Sequence, residues 1–381
     1  MPDIFLQFLL FFGLSTLISG VFLWGLKKIF VRFDLLDKPH LYAMEKGRKP
    51  VPYGIGILIL MVLLVISPFL YLYGDFSPLL EKRLFYVIVI GAVMALISFV
   101  DDMDTIGKSH IKVPPIFRLG MQILVGAFIG LTSIKISYVS HIFGGILQLD
   151  EIYWNIHLFG DLHITIYILP LLVTIFWYVL IFNAVNFSDG IPGVTGGIAS
   201  ITFLILGMLA LKLYLIDDSI AAQENSRFIL MILAIILPVT FFLTVADSKR
   251  SIVMGDSGTI MLAFFIATLA IVAGGKIATT ASVLGLYLID LVYVVLTRLR
   301  KGINPMKGDQ SHHLHYRLLE IGLSRSQVRT IILFLTAIFG ISAIFLSATG
   351  KIILLIFITG ITIFLTEILG KIQNKRKKPQ I

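Results

Sequence analysis

Long apolar runs fill the chain, separated by short polar clusters. Eleven runs approach the ~20 residues a helix needs to cross a bilayer: 4–26, 54–73, 84–100, 115–132, 165–182, 193–215, 228–245, 258–274, 277–297, 329–347 and 351–369. None alternates with a period of two. Only helices and closed barrels satisfy the backbone in lipid, so the pattern predicts an all-α, polytopic integral membrane protein of about eleven transmembrane helices. The longest segment between runs, 133–164, carries Tyr138, Tyr153, Trp154 and Phe143-Gly144-Gly145. It predicts a small extracytoplasmic hairpin or interfacial helix. No internal repeat is visible. Residues 1–370 read as one domain, and 371–381 as a disordered basic tail on anionic lipid.

Composition narrows the class. The chain is 57% hydrophobic and 14% charged, with mean hydropathy +0.96. A soluble domain carries about 25% charge, so that class is excluded. There are no cysteines, which excludes disulfides, thiolate metal sites and thiol nucleophiles. The net charge of +9 has a membrane explanation, because Lys and Arg collect in cytoplasmic loops; nucleic acid is not an expected partner. With eleven alternating spans and the N-terminus outside, 24 of the 31 Lys and Arg fall on the inner side. The predicted orientation is N-out, C-in. Met-Pro-Asp at the start lacks a basic n-region, which predicts no cleavable signal.

Polar clusters are costly in such a chain, so their positions carry information. Asp101, Asp102 and Asp104 follow the third run, and Asn183, Asn186 and Asp189 the fifth. Asp247 and Asp256 flank the turn after the seventh. Asp309, His312, His313, His315 and Arg317 follow the ninth. In the charge-derived topology every one is cytoplasmic.

Adjacent carboxylates at 101 and 102 can hold Mg²⁺ through oxygen or supply a base; the alternative is a solvated helix end. Asn183, Asn186 and Asp189 are spaced by three and share a helical face. Gly190, Gly193, Gly196 and Gly197 follow, where bare backbone and a helix start can receive a phosphate or simply allow close helix packing. Asp256 and Ser257 open the eighth run as ligands or as capping groups. The histidines with Arg317 suit a pyrophosphate better than zinc. Asp290, inside the ninth run, reads as a functional acid or as the partner of a base such as Arg298.

In order, the motifs are Asp37-Lys-Pro39 with Lys46-Gly47-Arg48-Lys49-Pro50-Val-Pro52-Tyr-Gly54, Val100-Asp101-Asp102, Asn183-Ala-Val-Asn186-Phe-Ser-Asp189-Gly190, Gly255-Asp256-Ser257-Gly258, and His313-Leu-His315-Tyr-Arg317-Leu318. Together they resemble the polyprenyl-phosphate N-acetylhexosamine-1-phosphate transferases, from about residue 34 to 330. That family includes the phospho-MurNAc-pentapeptide translocases and the UDP-GlcNAc:undecaprenyl-phosphate transferases. The resemblance implies a membrane enzyme moving a sugar-1-phosphate, most simply GlcNAc-1-phosphate, from a UDP-amino sugar to a polyprenyl phosphate, with UMP leaving. It implies Mg²⁺, with Mn²⁺ allowed, held by Asp256 and Asp189. Asp101, Asp102 and Asp189 are the implied catalytic group. Asn183, Asn186, Gly190, His313, His315 and Arg317 are the implied substrate contacts, with Lys46 or Lys49 as the basic residue of the N-terminal loop. It also implies a plasma-membrane location and allows a homodimer. Two departures stand out: Pro192 occupies the place of the family's second acid in Asp-Gly-x-Asp-Gly, and Tyr316 that of a third histidine. A transporter is the competing class, but its sites lie near the midplane, whereas these clusters share one edge.

Overall fold

The computed structural model describes residues 2–39, 48–140, 145–157, 163–274, 276–304 and 313–377. In chain order the elements begin with α1 (Pro2–Arg32), a 3-10 turn (Ile55–Ile57), α2 (Leu58–Tyr73), α3 (Pro78–Thr105) and α4 (Pro115–Gly130). Four short strands follow: β1 (Tyr138–Ser140), β2 (Ile146–Gln148), β3 (Tyr153–His157) and β4 (His163–Tyr167). Then come α5 (Ile168–Phe187), α6 (Val194–Ile216), α7 (Ile220–Ser248), α8 (Gly255–Val272) and α9 (Ile277–Val283). The last are α10 (Gly285–Arg300), α11 (Leu314–Glu320), α12 (Arg325–Phe345) and α13 (Ala348–Lys377).

The all-α membrane class holds, with a different tally of spans. Among the described residues nine helices are long and apolar enough to cross a membrane. The expected span at 115–132 is the 16-residue α4, shorter than the others. The expected span at 277–297 is broken into α9 and α10, which are bent by 81°. Leu284 marks the break with ψ near 2°, and Gly285 sits so close to α13 that a Cβ would meet Ile358 at 3.0 Å. The segment after α4 forms two antiparallel ladders, β1–β2 and β3–β4. Aromatic and β-branched residues favour strand there, and β4 delays α5 to Ile168. The tail expected to be disordered begins as helix, since α13 runs to Lys377.

Cα packing resolves two compact units, each built from two stretches of chain. The first is Met1–Pro114 with Pro192–Gly274. Within it α7 packs along α1, α2 and α6, and α8 packs against α3, α6 and the 3-10 turn. Buried Thr202, Thr240 and Thr268 donate to the carbonyls four residues earlier, at 2.8, 2.7 and 2.7 Å. Their hydroxyls are thereby satisfied inside an apolar interior. The second unit is Pro115–Ile191 with Gly275–Ile381. There α5 packs on α4 and α10, α9 on α12 and α13, and α11 on α13.

Candidate active site

In the first unit, distant stretches converge on the end of α3. Asp102 is 1% exposed. Its Oδ1 accepts the Asp256 N–H at 2.7 Å and its Oδ2 the Ser257 N–H at 3.0 Å. These are among the first amides of α8, which a helix leaves without internal partners. Met254 at the N-cap offers no side-chain bond, so the cap comes from another helix. The approach requires bare backbone: Gly255 has φ +77°, and a Cβ there would lie 2.7 Å from both Asp102 oxygens.

Residues 52–57 close over this junction. Tyr53 bridges Val253 in parallel. Gly54 N–H donates to Val253 O at 3.1 Å and Gly56 N–H to Met254 O at 2.8 Å. Upstream, Asp37 accepts the Val51 N–H at 2.7 Å and pairs with Arg48, folding the Asp37-Lys-Pro39 motif onto Arg48–Pro52. Asp101 is buried beside Asp102, and the Asp256 side chain is half-buried. A second acid also caps a helix: Asp247, at the end of α7, accepts the Gly193 N–H at 2.6 Å, and Gly193 is the N-cap of α6 with φ +80°.

The second unit carries the asparagines and histidines. At the end of α5, Asn183 donates to Gln122 Oε1 and to Val179 O, each at 2.7 Å, so it ties α5 to α4. Asn186 is half-buried and Asp189 exposed. Asp290 of α10, 1% exposed, holds the start of α11 twice. Its Oδ2 lies 2.7 Å from His313 Nδ1, and its Oδ1 accepts the Leu314 N–H at 3.0 Å. The His313 ring packs on Phe187 at 4.8 Å and parallel to His315 at 6.0 Å.

His315 differs from His313. It is 1% exposed, with rings of Tyr316 at 4.2 Å and Tyr287 at 6.1 Å. Neither ring nitrogen has a hydrogen-bond partner among the described residues. Burial, with His313 beside it, pushes its imidazole down from 6.5 to about 3, so it is neutral at physiological pH. A Cβ on Gly190 would overlap His315 Nε2, which explains glycine at that position. Arg317 donates to Thr366 O at 2.8 Å. It also lines a cavity of about 350 Å³, open mouth included, with Tyr293, Thr297, Arg298 and Lys301.

The sequence pattern of glycosyl transferase family 4 matches residues 84–274, half of the chain. The chain belongs to glycosyl transferase family 4. It is also similar over most of its length to three bacterial proteins. One, from Bacillus subtilis (strain 168), is named "Probable undecaprenyl-phosphate N-acetylglucosaminyl 1-phosphate transferase"; identity is 25%, over 93% of this chain and 89% of that protein. The Salmonella typhi protein named "Undecaprenyl-phosphate alpha-N-acetylglucosaminyl 1-phosphate transferase" is 24% identical, over 86% and 82% of the two chains. The protein of that name from Escherichia coli (strain K12) is 24% identical, over 83% and 77%.

The family 4 match spans Asp101, Asp102, Asn183, Asn186, Asp189, Gly190 and Asp256, while His313, His315 and Arg317 lie beyond it. The structure brings Asp101, Asp102 and Asp256 together in one unit, and Gly190, His313 and His315 in the other. Arg317 faces the α10 cavity and α13 instead. Lys49 is exposed; Lys46 and His312 lie outside the described residues. Among these, no three histidines or acids converge as a ready metal cage. Mg²⁺ does not require one, since it is commonly held by one or two carboxylates plus substrate phosphates and water. The hard oxygen donors of the half-buried Asp256 carboxylate fit that partial set, and Asp189, the other implied holder, is an exposed acid of the second unit. Sequence reading missed the pairing of Asp247 with Gly193. Its signal was an acid at a helix end, with Lys249 and Arg250 close behind it in sequence as the more obvious partners.

Proposed function

We propose that this chain transfers GlcNAc-1-phosphate from UDP-GlcNAc to undecaprenyl phosphate and releases UMP. The observation that carries this reading is the similarity to the three transferases over 83–93% of the chain. An oxygen of the lipid phosphate bonds to the sugar-bearing phosphorus. The bond from that phosphorus to the bridging oxygen breaks, and its electron pair leaves on UMP. Such transfers depend on positioning and charge neutralisation more than on covalent help from the protein. Both Asp102 oxygens already accept amides of α8, so we assign the lipid phosphate to Asp101. Asp256 would hold Mg²⁺, which when bound neutralises charge on the donor's phosphates. Asn186, Asp189 and Gly190 are assigned to the nucleotide sugar.

A UDP-GlcNAc radiolabelled in the sugar, incubated with the purified protein, undecaprenyl phosphate and Mg²⁺, should give butanol-extractable label that unlabelled UDP-GlcNAc competes away. If UDP-MurNAc-pentapeptide competes and UDP-GlcNAc does not, the donor assignment is wrong while the reaction class stands. No lipid product with any nucleotide sugar would sink the class as well.

We further propose that the N-terminus lies outside, the C-terminus inside, and the reaction at the cytoplasmic face of the plasma membrane. The charge bias of the loops supports this. The chain lacks cysteine, so single cysteines report on a silent background. Exposed Glu151 and Lys112 are suitable positions. In intact cells Glu151→Cys should react with a membrane-impermeant maleimide, and Lys112→Cys should react only after permeabilisation. The reverse pattern would invert the topology.

A further inference from the structure

His313 and His315 sit two residues apart in one motif, yet their surroundings separate them. His313 is only 4% exposed, and its Nδ1 meets the buried Asp290 carboxylate at 2.7 Å. A carboxylate can only accept, so Nδ1 carries the proton and the tautomer is set. The second ring nitrogen, Nε2, has no hydrogen-bond partner among the described residues. The ring cannot easily turn. Phe187 covers one side and His315 lies parallel to it, while the second Asp290 oxygen holds the neighbouring Leu314 N–H at 3.0 Å. His315 has no such backing and is neutral. Both oxygens of Asp290 serve the start of α11.

We propose that Asp290 is a positioning residue for the transfer: through Nδ1 it locks His313 in one tautomer and orientation, so that Nε2 is presented to an oxygen of the donor's phosphate chain. This rests on the reading of the reaction given above. His315, by contrast, is a packing group against Gly190. In Asp290→Asn the side-chain amide can still accept the Leu314 N–H through its oxygen, but its NH₂ faces Nδ1 and drives the proton to Nε2. The ring then stays in place with its two nitrogens exchanged in role.

The test is a double-mutant cycle on the full-length protein in detergent, using lipid-product formation from UDP-GlcNAc and the thermal midpoint. Wild-type turnover is measured first. Its absence would defeat the functional reading, and only with it present does the cycle address Asp290. Asp290→Asn should lower kcat/KM about 100-fold, the upper range for losing a group that orients a functional histidine, with a midpoint close to wild type. In a His313→Ala background the same change should cost less than about 2-fold, since effects of groups acting as a unit do not add. A full 100-fold loss in both backgrounds, or wild-type turnover in Asp290→Asn, overturns the proposal. If Asp290→Asn does not yield folded protein, Asp290→Glu keeps the charge and is run through the same cycle. Loss that persists without His313 again overturns it.

Discussion

Asp256→Asn should lose roughly a thousandfold in turnover, about 4 kcal/mol at 1.36 kcal/mol per tenfold, and yet yield normally folded protein. The two halves of this expectation come from different atoms. Residue 256 gives the fold a backbone N–H, held by Asp102 at 2.7 Å, and asparagine keeps it. The half-buried side chain supplies a carboxylate in the first turn of α8, where the role of a hard-cation ligand needs the charge. Product formation over a range of Mg²⁺ concentrations, with the thermal midpoint alongside, separates the two. Retention of more than about a tenth of wild-type turnover would mean that Asp256 merely suits the helix dipole. Asp102→Asn makes the contrast. Its amide would point a donor at a backbone donor, so it should lose the midpoint and the turnover together.

Gly56→Ala should give little or no folded protein, although it adds a single methyl group. A Cβ at residue 56 would overlap the backbone N and Cα of Gly258 and lie 2.8 Å from Met254 O. The obstructing atoms are main chain, so no rotamer change relieves them. Gly258 is equally hemmed in, with Gly56 Cα 2.8 Å from its own ideal Cβ. The 3-10 turn and α8 would have to part, which also breaks the Gly56 bond to Met254 O and disturbs the junction at Asp102. Overpacking against rigid backbone belongs to the class of changes above about 4 kcal/mol. Gly25→Ala is the control, because nothing lies within 4 Å of its Cβ. Size-exclusion profiles and thermal midpoints in detergent should show Gly25→Ala as wild type and Gly56→Ala aggregated or absent. A monodisperse Gly56→Ala within a few degrees of wild type would refute the close approach.

The helical membrane architecture was legible because each span is a continuous apolar run, a local property. The bend between α9 and α10 was not, since it accompanies contact between Gly285 and Ile358, residues far apart in the chain. The strands at 138–167 were partly legible as a hairpin, but such short segments do not stand out from an apolar chain. In the site, Asp101, Asp102, Asp256 and the histidines stood out because polar groups are expensive there. Their division of labour was hidden. Asp102 finds its partners 154 and 155 positions away, and Asp247 finds Gly193 at 54. Nothing in the sequence distinguishes His313, backed by Asp290, from neutral His315.

The interleaving of the two units has a consequence for biogenesis. The chain leaves the first unit at Pro114 and returns to it only at Pro192, so neither unit is a contiguous product of translation. At ribosomal speeds of about 5–20 residues per second, the 154 residues from Asp102 to Asp256 take roughly 8–30 s to emerge. Throughout that interval α3 ends in two aspartates, and the amide partners of Asp102 do not yet exist. The aspartates must therefore stay at a watery boundary, or be shielded by the insertion machinery, until α8 arrives. A nascent chain that stalls between these points presents unquenched acid in a lipid setting, the kind of defect that membrane quality control can recognise.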